Sequence, residues 1–258
     1  MDIQGILNEL NNSLEQVRIV AIVAAVFIAI IPPLNRLNSR FFTTIHELGH
    51  ALAARLANGK VGGVWIFRNM DGVRGITLSH LPENAELIGL FPAGHMGVTV
   101  FSLVMIIFGN IPNVAPLVLG STGSLLFLMF LLFGKQGRFP DASLSHQEVV
   151  TALVWLPISA GFIAIAWLLE PLWSVVTLNL LAVLGSVQAL TTLRGLKGAV
   201  QQAAGGSDAE QMAEEFANTP FLKHPMFWVH VWSISSLLML GVTYWLVWFG
   251  GAPVLAQG

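Results

Sequence analysis

His46, Glu47 and His50 lie in the run Thr43-Thr44-Ile45-His46-Glu47-Leu48-Gly49-His50. On a helix, positions i and i+4 share one face, so His46 and His50 can both point an imidazole nitrogen at a single ion. Zinc accepts such nitrogens at about 2.0–2.1 Å, and a catalytic zinc site keeps one position open for water. Glu47 sits beside the pair and is placed to take a proton from that water as it attacks a carbonyl. The ion lowers the water's pKa towards about 7, so the nucleophile is available at neutral pH. The pattern therefore fits metal-assisted hydrolysis.

Two imidazoles are too few to hold the ion, and the chain has no cysteine. The third donor must come from His, Asp or Glu elsewhere. Spacing leaves Asp208, Asp71, Asp141, His80, His95 and His146 as candidates. Asp208 has a competing role, because an acidic residue near a helix N-terminus commonly serves as a cap or dipole partner. His95, in Pro92-Ala93-Gly94-His95-Met96-Gly97, reads better as a hydrogen-bonded polar residue between helices than as a ligand. His146 and His224 read as loop or helix-end residues, and Trp155, Trp167 and Trp173 as lipid-facing or interfacial aromatics.

The elements that must position these groups are mostly apolar. The 258 residues are 55% hydrophobic and 10% charged, with a mean hydropathy of +0.73. A soluble domain carries about 25% charged residues, so the composition points to lipid. A net charge of −2 argues against nucleic acid or another polyanion as partner. A spanning helix needs about 20 mostly apolar residues. Ile19–Leu34 reads as a short first span ending at Pro32-Pro33, and Phe41–Leu56 as a shorter motif helix between Arg40 and Arg55. Leu87–Gly134 has no Asp, Glu, Lys or Arg and breaks at Gly109-Asn110-Ile111-Pro112-Asn113 into two spans. Val149–Leu169, Leu172–Leu193 and a stretch near Met226–Phe249 complete the set. The expected fold is an all-α polytopic membrane protein with about seven membrane segments.

Two stretches differ. Val61–Leu81 alternates around the turn signal Asn69-Met70-Asp71-Gly72 and reads as a β-hairpin beside the motif helix. Gly195–Lys223 is the longest polar stretch, where Ser207 and Glu210 form a capping box opening a short helix to about Ala217. Residues 1–17 read as a polar N-terminal segment without the basic start of a cleavable signal, and 18–258 as one membrane domain. If every segment crosses, Arg36 and Arg40 fall on one side and the other ten of the 12 Lys and Arg on the opposite side. Cytoplasmic loops carry the basic excess. The N-terminus, the hairpin and the 195–223 segment are therefore expected to be cytoplasmic.

These residues resemble the site-2 protease family of intramembrane zinc metallopeptidases, in its short bacterial branch without PDZ domains. The resemblance starts at Thr43-Thr44-Ile45-His46-Glu47-Leu48-Gly49-His50-Ala51-Leu52, continues through Ala93-Gly94-His95-Met96-Gly97, and ends with Gly206-Ser207-Asp208-Ala209 ahead of the last span with Trp228. It implies that His46, His50 and Asp208 bind Zn2+, that Glu47 is the general base, and that the substrate is a transmembrane segment of another protein. It also implies a hairpin beside the active site, whose edge can pair with an unwound substrate. A simpler role for Trp65, Ile66 and Phe67 is to anchor the hairpin in the membrane interface. The chain departs from most members in lacking a Leu-Asp-Gly-type motif in a membrane helix. Its one Asp-Gly, Asp71-Gly72, falls in the hairpin turn.

Two rivals belong to other classes. An inactive protease-like accessory subunit would bind the subunits of a larger membrane complex instead of a substrate. A transporter would use His46, Glu47 and His50 for ion passage, and internal repeats, which the sequence lacks, would support it.

Overall fold

The computed structural model describes residues 3–69, 72–82, 91–135, 148–202 and 207–249. Seven longer helices occupy the seven apolar segments: α1 (Ile3–Ile30), α2 (Pro32–Leu56), α3 (Ala93–Phe108), α4 (Ala115–Phe133), α5 (Thr151–Leu168), α6 (Pro171–Gln201) and α8 (Pro225–Tyr244). The eighth, α7 (Asp208–Glu215), is short, and a π-helical turn, Trp245–Phe249, follows α8. Among the described residues, five helices are long and apolar enough to cross a membrane, namely α1, α4, α5, α6 and α8 with its π-helical turn, and α3 is a shorter apolar helix. The protein is a mainly α polytopic membrane protein.

Helix α2 differs most from expectation. It begins at Pro32, not Phe41, and runs without a break past Arg36 and Arg40 to Leu56. Pro32 and Pro33 do not end the first span so much as start the next helix, where a missing N–H costs nothing. At 25 residues the helix is about 38 Å long. Its charges, Arg36, Arg40, Glu47 and Arg55, keep it out of the apolar class. Helix α1 starts at Ile3 and runs from these polar residues into the apolar stretch without a break.

Helix α6 is the hub. Its 31 residues touch all the other helices, α1 to α5, α7 and α8. Ser174, Asn179 and Ser186 are buried along it. Asn179 Nδ2 donates to the carbonyl of Gly109 at the α3 C-terminus, 2.7 Å away, and so satisfies a helix-end acceptor within the bundle.

The hairpin forms as expected, from strands β1 (Lys60–Asn69) and β2 (Gly72–His80), with a bulge between Val61 and Gly63. Its turn residues Met70 and Asp71 lie outside the described residues. A third strand, β3 (Glu148–Val149), pairs with β1 and makes the order β2-β1-β3. The edge of β1 away from β2 is further closed by Ile66 N–H donating to Thr151 Oγ1 and Lys135 N–H to the Val64 carbonyl. Val64, Trp65, Ile66 and Phe67 are all buried, and Val64 and Ile66 pack with Ala51, Val150, Val154 and Trp155. Their burial does not fit residues anchored in the membrane interface, and Val64 and Ile66 hold the sheet against the bundle. Trp155 is also a correction. It is 1% exposed, and its indole N–H donates to Thr44 Oγ1 at 2.9 Å on the motif helix. Trp167 and Trp173 are exposed as expected of lipid-facing residues.

Candidate active site

The middle of α2 carries His46, Glu47 and His50 on the side that meets α3 and the hairpin. Gly49 permits this closeness. A Cβ there would lie 2.2 Å from the carbonyl oxygen of Ala93, so any side chain would push α3 away. The Nε2 atoms of His46 and His50 face each other at 3.2 Å.

Asp208 reaches this pair from α7, which is not a membrane helix. Ser207 and Glu210 close the expected capping box: Ser207 Oγ accepts the Glu210 N–H, and Glu210 Oε2 accepts the Ser207 N–H at 2.9 Å. Ala209, Met212 and Ala213 form the buried side of α7 and pack with Leu193 and Leu196 of α6 and Trp228, Val229 and Trp232 of α8. This docking turns the first residue of α7 towards α2. Asp208 Oδ2 lies 3.7 Å from His46 Nε2 and 3.4 Å from His50 Nε2. Burial works to raise the Asp208 carboxyl, but His50 and His95 hydrogen bonded to it, with His46 beside them, hold it well below the usual carboxylate range.

Among the described residues, His46, His50 and Asp208 are the one group of three or more His, Asp or Glu side chains that could hold a metal. Their spacing suits an ion. Donors at about 2.0–2.2 Å in tetrahedral array stand about 3.3–3.6 Å apart, and the observed separations run from 3.2 to 3.7 Å. Gly94 supplies a second test. A Cβ on Gly94 would fall 2.4 Å from His50 Nε2 and 2.5 Å from His46 Nε2. The space an ion would take is thus open only because residue 94 has no side chain.

Glu47 is buried. Thr77 of β2 places its Oγ1 2.7 Å from Glu47 Oε2 and 2.9 Å from the Glu47 carbonyl. Gly75, two residues earlier on the same face of β2, lies so close that a Cβ would be 2.3 Å from Glu47 Cγ and 2.6 Å from Oε1. Thr77, Gly75 and Gly94 are site residues that sequence reasoning passed over. The available signal was small: a threonine and a glycine at alternate positions of a strand, and a glycine preceding a histidine.

Of the other third-donor candidates, His80 ends β2, exposed and paired with Lys60. Asp71, Asp141 and His146 lie outside the described residues. His224 is the N-cap residue of α8, in keeping with a helix-end role. His95 lies between helices, as expected, but nearer the site than expected: its Nε2 is 3.4 Å from Asp208 Oδ2.

A family model described as Peptidase M50B-like matches residues 19–243, a stretch that contains every residue of this cluster. No curated protein and no solved structure matches the chain.

Proposed function

The chain belongs to the Peptidase M50B-like family, within the site-2 proteases, and from that premise we propose that it is an intramembrane zinc endopeptidase cutting in or near transmembrane segments of other membrane proteins. The observation that carries this reading is the convergence of His46, His50 and Asp208 around the space beside Gly94, next to a buried Glu47. His46 and His50 would hold the ion through Nε2, and Asp208 through a carboxylate oxygen. When bound there, zinc supplies a Lewis acid that polarises the scissile carbonyl and eases ionisation of water.

Glu47 supplies the proton traffic. Its carboxylate removes a proton from the attacking water and returns it to the leaving amine, which leaves the residue unchanged after one turnover. Thr77 holds that carboxylate in place by donating to Oε2.

A peptide in a transmembrane helix has its carbonyls bonded within the helix, so it must open before it can be cut. Strand β2 pairs with β1 on one side alone among the described residues. Its other edge offers backbone groups to an extended segment next to Glu47, and strand addition of this kind recognises peptide backbone with little demand on sequence. The basic residues of the hairpin and of the end of α6 support a cytoplasmic position for this edge, and the resemblance to the short bacterial branch favours a bacterial inner membrane.

The test is Glu47→Gln. The expected variant binds zinc as the natural protein does and fails to cleave a transmembrane reporter substrate. Cleavage at the natural rate by Glu47→Gln would overturn the mechanism. Natural protein without zinc, copurifying with other membrane subunits, would instead favour an accessory role.

A further inference from the structure

His95 is 7% exposed and belongs to no ligand group among the described residues, yet its ring lies against the metal cluster. One face stacks on Trp232 of α8, with centroids 5.9 Å apart and planes at 25°. Its edge meets His46, at 4.6 Å and 80°. Nε2 points at Asp208 Oδ2 from 3.4 Å, while Nδ1 is buried with no hydrogen-bond partner among the described residues.

These contacts determine which nitrogen carries the proton. A carboxylate only accepts, so the hydrogen between Asp208 and His95 belongs to His95 Nε2. Among the described residues, nothing competes for it at Nδ1. Three imidazoles surround the Asp208 carboxylate, but His46 and His50 would give their Nε2 lone pairs to an ion. Only His95 then keeps an Nε2 hydrogen for Asp208. With that hydrogen in place, His95 Nε2 has no lone pair to offer and is not itself a ligand.

We infer that His95 is a positioning residue that donates its Nε2 hydrogen to Asp208 and holds this carboxylate on the metal. The inference rests on the zinc reading above. It answers a weakness of this site: Asp208 opens a helix of 8 residues that is not itself a membrane span. The apolar side of α7 docks the helix on α6 and α8, and His95 on α3 adds a contact to the Asp208 carboxylate itself. Partners of metal-bound carboxylates commonly fix ligand orientation in this way.

Zinc affinity of the purified full-length protein, measured by competition with a chromophoric chelator, tests the inference without any substrate. His95→Phe keeps a ring against Trp232 and loses the donor. It should weaken zinc binding by about 10- to 100-fold, the range for loss of such a partner. His95→Gln, whose amide N–H falls near the Nε2 position, should recover most of that affinity. His95→Asn, whose amide is too short to reach Asp208, should behave like His95→Phe and serves if the Phe variant does not fold. In an Asp208→Ala background, His95→Phe should cause no further loss. Unchanged affinity in His95→Phe or His95→Asn would overturn the inference alone, as would a Gln variant as weak as the Asn variant. Natural protein that binds no zinc would overturn the zinc reading and this inference together.

Discussion

Thr77 on strand β2 reaches both the side chain and the backbone of Glu47, with Oγ1 2.7 Å from Oε2 and 2.9 Å from the carbonyl oxygen. The hairpin is therefore wired to Glu47, the proposed general base, as well as packed beside it. Thr77→Val keeps the shape and removes the hydroxyl. A hydrogen bond to a charged group contributes about 1.5–3 kcal/mol, so turnover should fall by about 10- to 150-fold. Zinc content should stay the same, because Thr77 touches none of the three donors. Steady-state cleavage of a reporter, with zinc measured on the same sample, checks both halves. Full activity in Thr77→Val would show that Glu47 is held by something else.

Two glycines should separate metal binding from proton transfer. In Gly75→Ala the new methyl lies 2.3 Å from Glu47 Cγ, so the acid must move while the imidazoles need not. In Gly94→Ala the methyl lies 2.4–2.5 Å from both imidazole Nε2 atoms, where an ion would sit. Gly75→Ala should keep zinc and lose most activity; Gly94→Ala should lose both. Metal analysis of the two proteins, with thermal melts to establish folding, is the check. Stoichiometric zinc in folded Gly94→Ala would mean that the metal does not lie beside that residue.

Gly49 should behave differently from either. Its absent Cβ lets α2 approach the Ala93 backbone, and a methyl there would lie 2.2 Å from a carbonyl oxygen. Backbone cannot yield as a side-chain tip does, so Gly49→Ala should force α2 and α3 apart. Overpacking of this kind costs about 1–3 kcal/mol or more. A lowered melting temperature in detergent, accompanied by loss of zinc, is expected. A melting temperature equal to that of the natural protein would show that the helices separate at no cost.

The parts of this site legible in the sequence are the local ones. His46, Glu47 and His50 declare themselves by helical spacing, and Ser207 with Glu210 declares the cap that sets Asp208 at a helix start. The hairpin was legible because β-favouring residues flank a turn signal. The full length of α2 was not, because Arg36 and Arg40 look like a loop between spans. Pro32 and Pro33 look like an ending, although proline suits a helix start equally well. The burial of Trp155 depends on Thr44, far away in sequence, and the partnership of His95 with Asp208 depends on how α3 and α7 meet. Composition and periodicity carry no signal for such contacts, because each is made by tertiary packing after the local elements exist.

The placement of Asp208 should itself depend on the cap behind it. Helix α7 has 8 residues, too few to be stable alone. It is held by the apolar side that includes Met212 and by the reciprocal bonds of Ser207 and Glu210. Loss of an N-cap side chain costs about 0.5–2 kcal/mol of helix stability. Ser207→Ala removes the acceptor for the Glu210 N–H but leaves Asp208, His46 and His50 untouched. The first turn of α7 should then open more often, and the Asp208 carboxylate should spend less time at the site. A cost of that size, passed fully to binding, would weaken zinc by about 2- to 30-fold. Ser207→Asp, which also caps, should restore the affinity. Chelator competition on the three proteins reads the effect directly. Equal zinc affinity in Ser207→Ala and the natural protein would mean that the apolar docking of α7 fixes Asp208 without help from its cap.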